Sequence, residues 1–103
     1  MPLRVSGKNI NIGAALSQQI SDRVEEAASK YFNGGYSGQA TVGKDGFGYR
    51  TECVLHLDSG AMLEAEGMAA DAYESAAQAS ERIEKQLRRY KRRLKDHQGR
   101  RGG

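Results

Sequence analysis

Apolar and polar positions alternate along this chain with a period that switches between two and about 3.6, and the switches divide it into six elements. Leu3-Arg4-Val5-Ser6-Gly7 alternates, which predicts a short strand closed by glycine, with Lys8 to Ile12 leading onward. From Ala14 the period lengthens. Leu16, Ile20, Val24, Ala27 and Tyr31 recur at intervals of four and three, which predicts a helix to about Phe32 with one apolar face. Asn33-Gly34-Gly35 ends it. Tyr36 to Lys44 reads as a second strand, with Ala40 and Val42 on one side and Gln39 and Thr41 on the other. Lys44-Asp45-Gly46 supplies a hairpin turn, because Asp-Gly accommodates the positive φ that tight hairpins need. A third strand runs from about Phe47 to Leu57, with Tyr49, Thr51, Cys53, Leu55 and Leu57 on one face. Asp58-Ser59-Gly60 turns the chain, and Ala61 to Met68 forms a fourth strand. Asp71 then opens a long helix, with Glu74 three residues on as a variant of the capping box. Its apolar stripe is Ala76, Ala79, Ile83, Leu87, Tyr90 and Leu94.

The order β-α-β-β-β-α with one-sided helices predicts an α+β fold, a two-layer sandwich of two helices on one face of a four-stranded mixed sheet. The first helix is the crossover, so strands one and two are expected parallel and the later hairpins antiparallel. Arg4, Ser6, Gln39, Thr41, Arg50, Glu52, Val54, His56, Glu64 and Glu66 then fall on the open face. That face is polar and carries no aromatic side chain on which a base could stack, so nucleic acid is not expected to be read there.

Length and charge sharpen the picture. The chain has 103 residues, enough for one modest core and too few for two. No run approaches the ~18 apolar residues of a spanning helix, and the N-terminus lacks a signal-peptide apolar segment, so a cytoplasmic location and no membrane partner are expected. The net charge is +3, but it is segregated. Residues 1 to 81 hold 6 Lys/Arg against 11 Asp/Glu, a balance of −5; residues 82 to 103 hold 10 against 2, a balance of +8. Clustered cations gain from counterion release, which points to a polyanion partner, nucleic acid before membrane.

Catalytic chemistry finds little to stand on. Cys53 is the only cysteine, which excludes an internal disulfide and a thiolate zinc cluster. Strand alternation turns Cys53 to the face opposite His56 and Asp58, so they cannot act as nucleophile and base. No enzyme activity, cofactor, metal or small-molecule substrate is expected. Gly35-Tyr36-Ser37-Gly38 and Gly43-Lys44-Asp45-Gly46 have the GxxG spacing, but neither joins two helices as a KH loop does, and turn chemistry accounts for both.

The last helix carries the binding chemistry. With Ile83 at zero and 100° per residue, Arg82, Lys85, Arg89, Arg92 and Arg93 fall between about 180° and 280°, a basic ridge beside the apolar stripe. Arg88, Lys91 and Lys95 cover the opposite flank. Guanidinium groups grip phosphate oxygens bidentately and stack on bases, so the arginine enrichment favours RNA.

Several stretches together resemble the ribosome hibernation-promoting factors, the family that includes ribosome-associated inhibitor and light-repressed proteins. They are Met1-Pro2-Leu3-Arg4-Val5-Ser6-Gly7-Lys8-Asn9-Ile10, Lys30-Tyr31-Phe32-Asn33, Cys53-Val54-Leu55-His56-Leu57, Asp71-Ala72-Tyr73 and the run from Gln86 to His97. The resemblance covers Leu3 to about His97. It implies a fold like that of double-stranded-RNA-binding domains, seated on the small ribosomal subunit against 16S rRNA, where it blocks the messenger and transfer RNA sites and silences translation. Carried onto matching positions, it implies RNA contacts at Arg23, Arg82, Lys85, Arg89, Arg93 and Lys95. Gly13 replaces a common threonine cap, and Glu26 stands where relatives often have lysine, which weakens the first helix as a contact. Residues 1–97 are then the ribosome-binding domain and residues 98–103 a flexible linker or tail. With no apolar face left open, a monomer off the ribosome is expected. The alternative is a general RNA-binding or transcription-modulating module not targeted to the ribosome.

Overall fold

The six elements form in the expected order: β1 (Leu3–Lys8), α1 (Ala14–Tyr31), β2 (Tyr36–Asp45), β3 (Gly48–Leu57), β4 (Met62–Ala69) and α2 (Ala72–Gly102). The computed structural model describes the backbone of residues 3–32 and 34–102, and the side chains of these as far as Arg92. The sheet order is β1-β2-β3-β4, with β1 parallel to β2 and the other pairs antiparallel. Both helices cover one face. Leu16, Ile20 and Val24 of α1 meet Ala40, Val42, Cys53 and Leu55 of the sheet and Ala76, Ala79, Ile83 and Leu87 of α2 in one buried cluster. These are the positions that the two periodicities select.

Several boundaries move, β4 by one residue at each end, and three of the shifts have a clear local reason. The β2–β3 hairpin turns on Gly46-Phe47, one residue later than Asp45-Gly46, because Asp45 stays in the ladder opposite Gly48. Gly46 has φ +63° and Phe47 is not among the positive-φ residues. That is the requirement of a type II′ turn with glycine first, not of the type I′ turn that Asp-Gly suggests. β1 gains Lys8, which pairs with Gly43. Helix α2 runs on through residues 98–102, the stretch expected as a linker. Gln98, Arg100 and Arg101 are good helix formers, and within the stretch Gly99 opposes the extension by about 1 kcal/mol, while Gly102 stands at its last position.

The open sheet face carries the expected polar residues but also Met62 and Met68, 55% and 51% exposed, which alternate with Glu64 and Glu66 along β4. Polarity is kept by pairing. The Arg50 guanidinium lies 2.8 Å from Glu66 Oε2 and 3.7 Å from Asp45, and these carboxylates raise its already high pKa.

Candidate nucleic-acid interface

What α2 presents is set first by how it is fastened down. The Asp71 carboxylate accepts the Glu74 N–H at 3.3 Å and the Asp71 carbonyl accepts from Ser75 N–H, so the expected acidic cap forms. The first turns lie very close to β4. A methyl group at Gly67 would stand 2.3 Å from Ser75 O and 2.8 Å from Ala79 N, so only glycine admits this approach. The alanine-rich stretch answers it with small side chains, Ala76 and Ala79 being fully buried. Thr51 and Ser75, both inaccessible, share a hydrogen bond of 2.8 Å, so this buried polar pair is satisfied. Further along, Ile83 and Leu87 are completely buried. Tyr90 closes the anchored part, packing on Phe32 with ring centroids 6.1 Å apart and hydrogen-bonding Ser59 in the β3–β4 turn. Beyond Tyr90 the helix has passed the end of the sheet, and the long axis of the molecule is 52 Å.

Arg82, Lys85 and Arg89 come together as expected, and the structure adds their setting. They line a shallow surface along the outer edge of β4, beside Glu64, Glu66 and Gln86. Three α2 side chains, spaced four residues apart, occupy that edge. Gln78 accepts the Met68 N–H at 3.1 Å, Arg82 donates to the Glu66 carbonyl and Gln86 donates to the Glu64 carbonyl. The unpaired edge of a sheet is a template for another strand, and here side chains cover it. Arg82 thus spends one donor on the fold and keeps the rest of its fork exposed. Lys85 Nζ lies 4.0 Å from Glu81, an exposed pair of little energetic weight. Arg92 is exposed and stands seven residues after Lys85, on the same helical face. The side chains of Arg93 and Lys95 lie outside the described residues.

Arg23 is placed elsewhere. It is exposed on α1 and lines a groove between the helices with Glu26, Lys30 and Glu84, so two carboxylates share its surroundings. The same side of the molecule holds a cluster that spacing along one helix cannot reveal. Lys30 Nζ and Arg88 Cζ lie 5.3 and 5.9 Å from the centroid of the Tyr31 ring, each within cation–π range. Only the packing of α1 on α2 brings these two cations onto one ring.

The remaining chemistry is structural. Cys53 is buried and desolvation pushes its thiol up to about 12, so it packs as a small apolar side chain. His56 is exposed on the opposite face. The Asp58 carboxylate accepts the Gly35 N–H at 3.0 Å while the Asp58 N–H donates to the Gly35 carbonyl, which ties the end of β3 to the start of β2. Among the described residues no three metal-ligating side chains gather, and no helix is long and apolar enough to cross a membrane. Chemically, exposed cations on a rigid helix whose apolar face is locked into the core can hold phosphates.

Comparison with known proteins follows the same lines. The model of the family described as Sigma 54 modulation protein / S30EA ribosomal protein matches residues 3–95. A ribosome hibernation promotion factor of Bradyrhizobium diazoefficiens is 59% identical over 100 residues, covering 97% of this chain and 49% of the relative. One of Rhizobium meliloti is 52% identical over 97 residues, covering 94% of this chain and 51% of the relative. The chain therefore spans about half the length of these relatives. Among solved structures, the N-terminal domain of Thermus thermophilus Protein Y superposes with a TM-score of 0.78 at 23% identity, over 87% of this chain and 99% of that one. A ribosomal subunit interface protein from Coxiella burnetii gives 0.75 at 16% identity, over 88% of this chain and 98% of that one. At these identities the likeness is one of fold.

Proposed function

Because the chain belongs to the Sigma 54 modulation protein / S30EA ribosomal protein family, we propose that it binds the small ribosomal subunit through 16S rRNA and silences translation by occupying messenger and transfer RNA sites. The observation that carries this reading is the cationic face of α2, continued past the sheet on a helix that the core holds rigid. Relatives identical to this chain at more than half of the aligned positions bear the name of ribosome hibernation promotion factors. Arg82, Lys85, Arg89, Arg92, Arg93 and Lys95 are the proposed phosphate contacts, with Arg23 a lesser one beside Glu26. No covalent step is involved. A rigid body 25 by 18 Å in its shorter dimensions is comparable with a channel that admits RNA strands, so exclusion alone suffices.

The protein then acts in the cytoplasm, where ribosomes work, and residues 98–103 lead out of the ribosome-binding domain formed by residues 1–97. It is a monomer off the ribosome, for which the covered edge of β4 and the polar open face both argue. The test is inhibition of initiation in vitro by the intact chain, with the rRNA unmodified and bound transfer RNA displaced. The family description also carries the words sigma 54 modulation, and a transcription-modulating module is the second reading. Binding to a sigma factor, with none to ribosomal subunits, would favour it.

A further inference from the structure

Phe47 is the most exposed large apolar side chain described, at 106% of its reference surface, while Met62, Met68 and Tyr73 keep 44–55%. Single apolar residues on a surface are ordinary, but they usually lie along it with one side covered. Phe47 is covered on neither side. It sits second in the two-residue turn of the β2–β3 hairpin, and a methyl group built on Gly46 beside it would meet nothing within 4 Å. The turn itself makes no demand for an aromatic there. The ten-rung ladder from Tyr36–Leu57 to Asp45–Gly48 holds the backbone of the turn in place, and both faces of the ring it carries are open to solvent.

The foot of the hairpin is a notch lined by Lys8, Asn9, Lys44 and Arg50 together with Asp45, Glu52, Thr41 and Gly43. Gly43 creates it. It pairs with Lys8 on one side and Arg50 on the other, and having no side chain it leaves a trough between the two cations on the open face. Arg50 already pairs with Glu66 and Asp45. Among the described residues no carboxylate pairs with Lys8 or Lys44.

A free aromatic face at the same end of the sheet as an unpaired ammonium group is an arrangement on which single-stranded nucleic acid docks, base on ring and phosphate on cation. We propose that Phe47 is a stacking platform for an unpaired RNA base, with the adjoining phosphate held by Lys8, whose side chain stands on the open face. Small-subunit RNA as the source of that base rests on the ribosomal reading above. Tyr49 of β3 pairs with Ala69, so the hairpin tip lies at the end of the sheet from which α2 sets out. The stacking platform and the cationic end of α2 are therefore at opposite ends of the domain and touch separate RNA segments.

The chain contains no tryptophan, so Phe47→Trp installs a single reporter at the platform. Binding to purified small ribosomal subunits is measured for wild type, Phe47→Ala, Phe47→Leu and Phe47→Trp, with melting curves to show that all four fold alike. Phe47→Ala and Phe47→Leu are expected to weaken binding by about 5- to 150-fold, the range that loss of one base–aromatic stack produces. Phe47→Trp is expected to bind like wild type with its emission quenched on binding. Lys8→Ala flattens the salt dependence by nearly one unit of slope, and Lys44→Ala, on the opposite face of the sheet, leaves it unchanged. Equal binding by Phe47→Ala and wild type overturns the stacking role, as does undiminished binding by Phe47→Leu with an unquenched, blue-shifted Phe47→Trp, which marks a protein contact. If wild type fails to bind subunits, the ribosomal reading fails, and titration of Phe47→Trp with single-stranded oligoadenylate decides the platform alone: quenching supports it and unchanged emission sinks it.

Discussion

Replacing Arg89 by alanine is expected to change how salt controls RNA binding while leaving the fold alone. If Arg82, Lys85, Arg89, Arg92 and Arg93 each neutralise one phosphate, the slope of log affinity against log salt is roughly 3.5 to 4.5, from about 0.7 to 0.9 per contact. At a slope of about 4, raising salt from 50 to 200 mM weakens binding roughly 250-fold. Removing one contact lowers the slope to about 3.2 and the loss to roughly 80-fold. The structure ranks the residues. Arg89 is exposed and forms no ion pair among the described residues, so its removal acts on the slope and costs under ~0.5 kcal/mol of stability. Arg82 also holds the Glu66 carbonyl at the β4 edge, so Arg82→Ala both flattens the slope and loses about 1 kcal/mol of stability. Arg23, apart from the ridge and beside Glu26 and Glu84, is expected to matter less than Arg89. Fluorescence-anisotropy isotherms on 16S rRNA fragments across a salt series read all three. Equal slopes for wild type and Arg89→Ala would show that the ridge is a solvated face.

Three further outcomes follow from the packing. Leu87→Ala is expected to destabilise the domain by about 2–5 kcal/mol in urea unfolding, since the side chain is wholly buried and its removal leaves a cavity. Gly67→Ala is expected to cost about 1–3 kcal/mol by the same measurement, because the obstructing atoms belong to helix backbone and cannot swing aside; an unchanged midpoint would mean that α2 stands further from β4. In the folded protein the Cys53 thiol stays protonated to about 12, whereas the unfolded thiol ionises from its ordinary 9.0. The unfolded state therefore holds fewer protons between these values, and stability falls as pH rises from 9 towards 12. Cys53→Ala is expected to lose that part of the alkaline slope, which urea melts of both proteins across the window would measure.

The fold was legible because both periodicities were clean. Leu16, Ile20 and Val24 on α1 and Ile83 and Leu87 on α2 are core positions that the 3.6-residue spacing selects, and alternation in β3 separates buried Cys53 and Leu55 from exposed His56. The hairpin slipped by one residue because Asp45-Gly46 and Gly46-Phe47 both satisfy turn chemistry, and only pairing with β3 decides between them. The ridge was legible as a helical sector. Its neighbours were not, because Glu64 and Glu66 reach it from a strand whose edge faces α2 only once the sheet is assembled. The meeting of Lys30 and Arg88 over Tyr31 has the same origin, since it depends on how two helices cross and not on either helix's spacing.

The central claim is that this chain occupies RNA sites on the small ribosomal subunit through the cationic face of α2. Its most direct test is co-sedimentation of the chain with purified small subunits, with and without saturating messenger and transfer RNA, for wild type and an Arg89→Ala/Arg92→Ala double variant. Wild type is expected to pellet with the subunits and to be displaced by the RNAs, and the double variant to remain largely in the supernatant. Pelleting of wild type that the RNAs leave unchanged, or equal pelleting of the double variant, would contradict the account.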